Sequence, residues 1–161
     1  MINGSYRGDS GRRGWTTESD LLAGQRTDEG MIAEMIREDR RRLLIATLNG
    51  SGAETIVGCV SIERTVREAT ASLGMLTVDV DEQKSGLGDF LLRTAENQAR
   101  EQLGAKFMQM HVISVRSELI AWYERRGYSA TGETAAFPYG DERFGIPLRP
   151  DLRFAVLEKA L

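Results

Sequence analysis

Leu87, Leu91, Ala95, Ala99 and Leu103 recur four residues apart between Gly86 and Gly104. That spacing returns to one side of an α-helix at every turn, so it predicts a long amphipathic helix with a stripe that must be buried. Phe90 belongs beside the stripe, and Arg93, Glu96, Asn97 and Arg100 form the outer face. Such a helix needs an apolar platform, and one stands just before it. The runs "RLLIATLNG" (42–50), "ETIVGCVSIERTV" (54–66) and "ATASLGMLTV" (69–78) are apolar and separated by short polar turns, one of them signalled by Asn49–Gly50. Three such runs in succession predict an antiparallel meander.

The remaining segments continue the alternation. "AKFMQMHVI" (105–113) predicts a strand, "SELIAWYERRG" (117–127) a short helix stopped by Gly127, and 128–135 and 153–161 two closing strands. Met31, Ile32, Met35 and Ile36 predict a helix over 28–39. Residues 1–26 are rich in Gly, Ser, Thr and charge, and predict a loop-rich segment with one short helix, capped by Thr17 or Ser19 and ended by Gly24. The loop "FPYGDERFGIPLRPD" holds all three prolines, and loops of that length are usually functional or mobile. The expected fold class is therefore α/β (α+β), a mixed, mainly antiparallel sheet flanked by helices. Residues 1–161 form a single domain in this reading, with 27–161 as its core.

Composition narrows the function. The net charge of −3 gives no electrostatic case for a nucleic-acid partner. The pairs and runs Arg12–Arg13, Arg40–Arg42 and Arg125–Arg126 read as solvated ends of elements. Cys59 is the only cysteine and sits in an apolar run, which excludes an internal disulfide and suggests a buried hydrophobe in a reducing, cytoplasmic setting. His111 is the only histidine, so no multi-histidine metal site is expected. No apolar run approaches the roughly 20 residues of a membrane span and no secretory signal opens the chain, so no membrane partner is expected.

Gly86 and Gly88 interrupt this economy. Glycine costs roughly 1 kcal/mol relative to alanine inside a helix, so a turn or a close approach must require it. A strand, a glycine-bearing turn and a helix in succession form a ready anion site, because first-turn amides and the helix dipole favour negative charge. A tight turn without a ligand is the other reading. The dinucleotide pattern G-x-G-x-x-G fails at Leu91 and the P-loop pattern is absent. The pattern that is present is Q-x-x-G-x-G, from Gln83 to Gly88.

With its flanks "GMLTVDVDEQ" and "FLLRTAE", this stretch resembles the acetyl-CoA pyrophosphate loop of the GNAT-type N-acetyltransferase superfamily. Further on, "LIAWYERRGYSATGE" resembles the family's "LYEKxGF" signature, with Tyr123 in the tyrosine position. The order of strands and helices from about residue 27 to 161 is similar too. The resemblance implies the acyl-CoA N-acyltransferase fold and acetyl-CoA as co-substrate. It implies that Leu76, Thr77 and Val78 pair with the pantetheine arm, and that Gln83, Lys84, Ser85, Gly86, Leu87 and Gly88, with Asp89 next in line, hold the pyrophosphate. Arg116 stands where the family often has an asparagine touching the cofactor. Tyr123 would protonate the leaving thiolate, which suits a phenol: it is a neutral donor that does not compete for the amine. Trp122 and Tyr123 cannot share one helix face, so one of them points to ligand or solvent.

The chain departs from the family pattern in specific places. Asp89 replaces a usually basic residue; it suits the helix dipole and can pair with Arg93, but is expected to repel a pyrophosphate unless Lys84 turns inward. Ser72 stands where many relatives carry a glutamate base, leaving Glu63, Glu18, His111, Glu133 or a relayed water. "MINGSYRG" resembles only the tail of the family's first helix, without its first strand. A sheet edge uncovered in that way invites a second copy, as a homodimer.

The acceptor is expected to meet the segment 1–26, through Trp15, Thr16, Thr17, Glu18 and Arg26, and the late loop, through Phe137, Tyr139, Asp141 and Phe144. Glu18 beside Trp15 suits an amine and Arg26 a carboxylate; helix capping, with Trp15 as a hydrophobic staple, is the competing reading. The function implied is direct acetyl transfer from acetyl-CoA to a primary amine of a small molecule. A non-catalytic acyl-CoA-binding or interaction module and a purely structural domain are the alternatives.

Overall fold

The structure is a computed structural model and describes residues 1–15, 17–49 and 54–161. Thr16 and Gly50, named above, lie outside the described residues. In chain order the elements are α1 (Ile2–Tyr6), α2 (Gly8–Arg12), β1 (Leu22–Ala23), α3 (Glu29–Arg37), β2 (Arg41–Asn49), β3 (Glu54–Arg64), β4 (Thr70–Val78), α4 (Leu87–Leu103), β5 (Phe107–Ile113), α5 (Ser117–Glu124), β6 (Ser129–Ala136), β7 (Ile146–Pro147) and β8 (Arg153–Ala160). Single 3₁₀ turns precede α4 and β7, at Val80–Glu82 and Glu142–Phe144.

The six long strands form one sheet in the order β2-β3-β4-β5-β8-β6. Strands β2, β3 and β4 are the expected antiparallel meander. β4 and β5 are parallel, which makes the sheet mixed, and β8 returns antiparallel between β5 and β6.

α4 lies on this sheet. Leu91, Leu92, Ala95, Ala99 and Leu103 are buried against Val60, Ile62, Met108, Met110 and Leu157. Removing the leucine side chains among them from water contributes roughly 1.5–3 kcal/mol each. The buried stripe is rotated from the expected one. Phe90 is 58% exposed, and Leu92 takes its place inside. Glu96, assigned to the outer face by the sequence, is 6% exposed. It accepts from the Tyr128 hydroxyl at 2.9 Å and from Lys159 Nζ at 2.9 and 3.0 Å, which satisfies the charge inside.

The N-terminal segment also differs from expectation. Two short helices occupy 2–12, and Leu22–Ala23 is a strand paired with Pro147 and Ile146, not the end of a helix. Ser19 bonds the Gly8 carbonyl and accepts from Thr17 Oγ1 instead of capping a helix. Burial decides the outcome: Leu22 joins Ile113, Phe137 and Leu152 in a second apolar cluster, and that contact requires extended backbone.

Candidate active site

The sheet opens where β4 and β5 meet. They pair only from Thr70 to Ser72 against Phe107 to Gln109, and then part. On its other side β4 carries one more residue than β3 between Gly74 and Thr77, opposite Ser61 and Cys59. The extra residue makes a bulge, with Met75 at φ +50°. The Met75 carbonyl accepts from the Thr77 hydroxyl at 2.9 Å and from the buried Cys59 thiol, whose pKa burial raises. Cys59 is thus the buried hydrophobe that its sequence context suggested.

Two cavities flank the opening and meet at Tyr6, Leu76, Arg116, Leu119 and Tyr123. The first, of about 490 Å³, runs along the end of β4 to the start of α4. Gly86 caps α4 with φ +89°, a left-handed turn that favours glycine, and the Leu87 amide bonds Ser85 Oγ at 3.3 Å. A side chain at Gly86 would point into open space, whereas one at Gly88 would touch Val78 and Trp122 at ordinary contact distance. Lys84, Arg116, Arg125 and Arg126 line this cavity against the single acid Asp89, among the described residues. Asp89 is not a naked charge: Arg93 Nη2 lies 2.8 Å and Arg126 Nε 2.9 Å from its oxygens. Arg126 also stacks on Trp122, with 3.6 Å from its guanidinium carbon to the ring centroid.

Tyr123 sits at the junction. It is buried, edge-on to Trp122 and Tyr128, and its hydroxyl makes no hydrogen bond among the described residues. Burial pushes its pKa far above that of a free phenol, so it keeps its proton at neutral pH. Tyr6 lies opposite and donates to the Leu76 carbonyl at 2.7 Å; burial raises its pKa as well.

The second cavity, of about 510 Å³, lies under the N-terminal segment and the late loop. Its walls include Ile113, Phe137, Phe144 and Phe154, and its polar groups include Arg7, Glu18, Arg26, Ser72 and His111. Glu18 is held from both sides, by Arg7 Nη1 on one oxygen and by Arg116 Nη1 at 3.2 Å on the other. His111 is edge-on to Phe154, and partial desolvation lowers its pKa although the residue is exposed.

The sequence-derived residues divide between these two places. Leu76, Val78, Gln83, Lys84, Gly86, Gly88, Asp89, Arg116 and Tyr123 line the first cavity. Thr77, Ser85 and Leu87 do not: Thr77 and Leu87 turn inward, and Ser85 shapes the turn by donating to the Glu82 carbonyl. Glu18 and Arg26 line the second cavity, but Trp15 lines the first, 5.8 Å from Trp122, with its amide on Gln83 Oε1 at 2.7 Å. Tyr139 is in neither; its hydroxyl bridges the Arg149 carbonyl and the Leu152 amide inside the loop. Of the base candidates, Glu63 is tied to Arg40 and Arg41, and Glu133 stands exposed on β6. Only Glu18 and His111 reach the second cavity. Tyr6 and Arg7 were missed by the sequence reading. The only signal for them was their place in the stretch resembling a helix that lines the acceptor cleft.

A family model described as "Acetyltransferase (GNAT) family" matches residues 11–128. The chain belongs to the GNAT acetyltransferase family, whose co-substrate is acetyl-CoA. Solved structures show the same fold. A putative streptothricin acetyltransferase from Bacillus anthracis in complex with acetyl coenzyme A is 19% identical, with a TM-score of 0.62 over 80% of this chain and 67% of that one. The ribosomal-protein-S18-alanine N-acetyltransferase from Escherichia coli is 18% identical, with 0.62 over 87% and 80%. Nourseothricin acetyltransferase is 19% identical, with 0.60 over 76% of this chain and 66% of its own length. At these identities the likeness is one of fold. No curated protein matches the chain. Among the described residues, no helix of this GNAT chain is long and apolar enough to cross a membrane.

Proposed function

We propose that the chain transfers the acetyl group of acetyl-CoA to the primary amine of a small molecule, by direct attack within a ternary complex. The observation that carries this reading is the meeting of the two cavities at Tyr123. A cation-rich, glycine-walled cavity suits the pyrophosphate, and an apolar one beside it suits the acceptor. Four cations against one already paired acid offset the repulsion expected of Asp89. Leu76 and Val78 border the opening where β4 has left β5, and there the strand can pair with the pantetheine arm.

Orienting both reactants supplies several kcal/mol of the barrier. The neutral amine attacks the thioester carbon, and the backbone at the β4 bulge polarises the carbonyl oxygen. Tyr123, protonated and without a competing bond among the described residues, gives its proton to the departing sulfur. His111 is the proton acceptor in this reading, directly or through water, because desolvation keeps it neutral and it lines the acceptor cavity. Glu18 is less suited, since both its oxygens are engaged by guanidinium groups. The reading takes the whole chain as one domain in the cytoplasm, without nucleic-acid or membrane partners. A homodimer along the β2 edge belongs to it as well, and sedimentation showing only monomers would remove that part.

The test is calorimetric titration of acetyl-CoA into the protein and into Gly88→Asp. That substitution fits sterically but sets a carboxylate among the first-turn amides. Saturable binding, weakened at least tenfold in the variant, supports the cofactor site. Binding without turnover of any amine would favour a non-catalytic acyl-CoA-binding module, and no binding would leave only a structural role.

A further inference from the structure

We infer that the acceptor is an amine that also carries a carboxylate on an apolar body, as an α-amino acid with an aliphatic or aromatic side chain does. The inference rests on the acetyltransferase reading above and names the substrate class of its second cavity.

The second cavity carries an imbalance of charge. Among the described residues lining that cavity, Arg7, Arg26 and Arg116 face one acid, Glu18. Arg7 is 6% exposed, and the side chains of Arg116 and Glu18 are 10% and 11% exposed, so water screens this cluster poorly. Glu18 is shared: one oxygen takes Arg7 and the other takes Arg116. One negative charge therefore answers two buried positive ones. Arg7 Nε and Nη2 are buried and have no hydrogen-bond partner among the described residues, so the cluster is short of acceptors as well as of negative charge. Arg26 adds a third cation. It is half-buried, 5.5 Å from the Tyr6 ring centroid, and has no carboxylate partner among the described residues.

Buried cations without compensation are costly, and an incoming carboxylate supplies what is missing. A guanidinium suits it particularly, because its fork matches the two oxygens of a carboxylate. The same imbalance disfavours a polycation, which would bring more positive charge to a site already in excess. The acceptor's body meets Phe137, Phe144, Phe154 and Ile113, which favours apolar over polar side chains.

The chemistry balances without any further reactant. The amine nitrogen forms a bond to the acetyl carbon and the carbon–sulfur bond breaks. The nitrogen loses one proton to His111 or water, and the sulfur gains one through Tyr123. The products are the N-acetylated acid and coenzyme A.

The experiment follows release of the coenzyme A thiol with matched acceptors: phenylalanine against phenethylamine, leucine against 3-methylbutylamine, and spermidine as a polycation. Acetyl-CoA binding is measured in parallel by calorimetry. The expected result is a kcat/KM at least tenfold higher for the carboxylated member of a pair, with spermidine poorest. Arg26→Gln should collapse that ratio, mainly through KM for the acid, and Arg26→Lys should restore part of it; thermal unfolding reports that both variants are folded. Equal or faster turnover of the decarboxylated partners or of spermidine overturns the inference, as does acetyl-CoA binding with no carboxylated amine turned over. Absence of acetyl-CoA binding overturns the acetyltransferase reading itself, and that result is read from calorimetry alone.

Discussion

Tyr123 and Tyr6 are buried phenols at one junction, yet their hydroxyls are committed differently. The Tyr6 hydroxyl donates a hydrogen bond to the Leu76 carbonyl and so fixes the N-terminal segment to β4, whereas the Tyr123 hydroxyl has no hydrogen-bond partner among the described residues. We expect Tyr123→Phe to lower kcat by about 10²–10⁴-fold while acetyl-CoA affinity changes little, since the ring stays in place. Calorimetry with steady-state kinetics separates the two effects, and an unchanged kcat would remove Tyr123 from the mechanism. His111 gives a prediction about pH. Desolvation holds its folded pKa below the ordinary 6.5, so the unfolded chain binds the proton more readily. The stability that neutral His111 contributes is thus complete above about pH 6.5 and is lost as pH falls through the lower folded value. His111→Gln should flatten that acid-side loss in urea unfolding measured at successive pH values. If His111 is also the base, the variant should lose the acid limb of the kcat/KM profile.

α4 shows what a sequence can and cannot disclose about an element. Its two glycine boundaries and the repeat of Leu91, Ala95, Ala99 and Leu103 were legible because helical periodicity is local. The burial of Glu96 was not legible, because its partners Tyr128 and Lys159 lie 32 and 63 residues away. Nor was the inward turn of Leu92, which only the sheet beneath it decides. Leu92→Ala should cost about 2–5 kcal/mol, seen as a lower urea midpoint with little change in slope. A loss below about 0.5 kcal/mol, the size of an ordinary surface change, would contradict its placement in the core.

Across the whole molecule, charge is distributed against its own total. The chain carries a net −3, yet the cavity at α4 gathers four cations around one paired acid. Acetyl-CoA binding should therefore weaken as salt rises, by several-fold between low and about 0.3 M ionic strength, because screening reaches into the open cavity. Salt-independent affinity would show that the cations contribute little. The α4 cavity was legible because most of its wall comes from one contiguous motif, Gln83 to Gly88, and a second around Tyr123. The second cavity was not, because a segment near residue 6 folds back onto residue 76 and brings Arg7 and Glu18 to the opening; no local pattern announces so distant a contact. That Trp15 borders the α4 cavity, beside Trp122, was illegible for the same reason.

The placement of Trp15 has a practical consequence. Trp15 and Trp122 are the only tryptophans in the chain, and both stand at the wall of the same cavity, one of them stacked on a guanidinium. The intrinsic fluorescence of the native protein therefore arises almost wholly beside the α4 cavity. Entry of any ligand there should register in the emission without an attached dye.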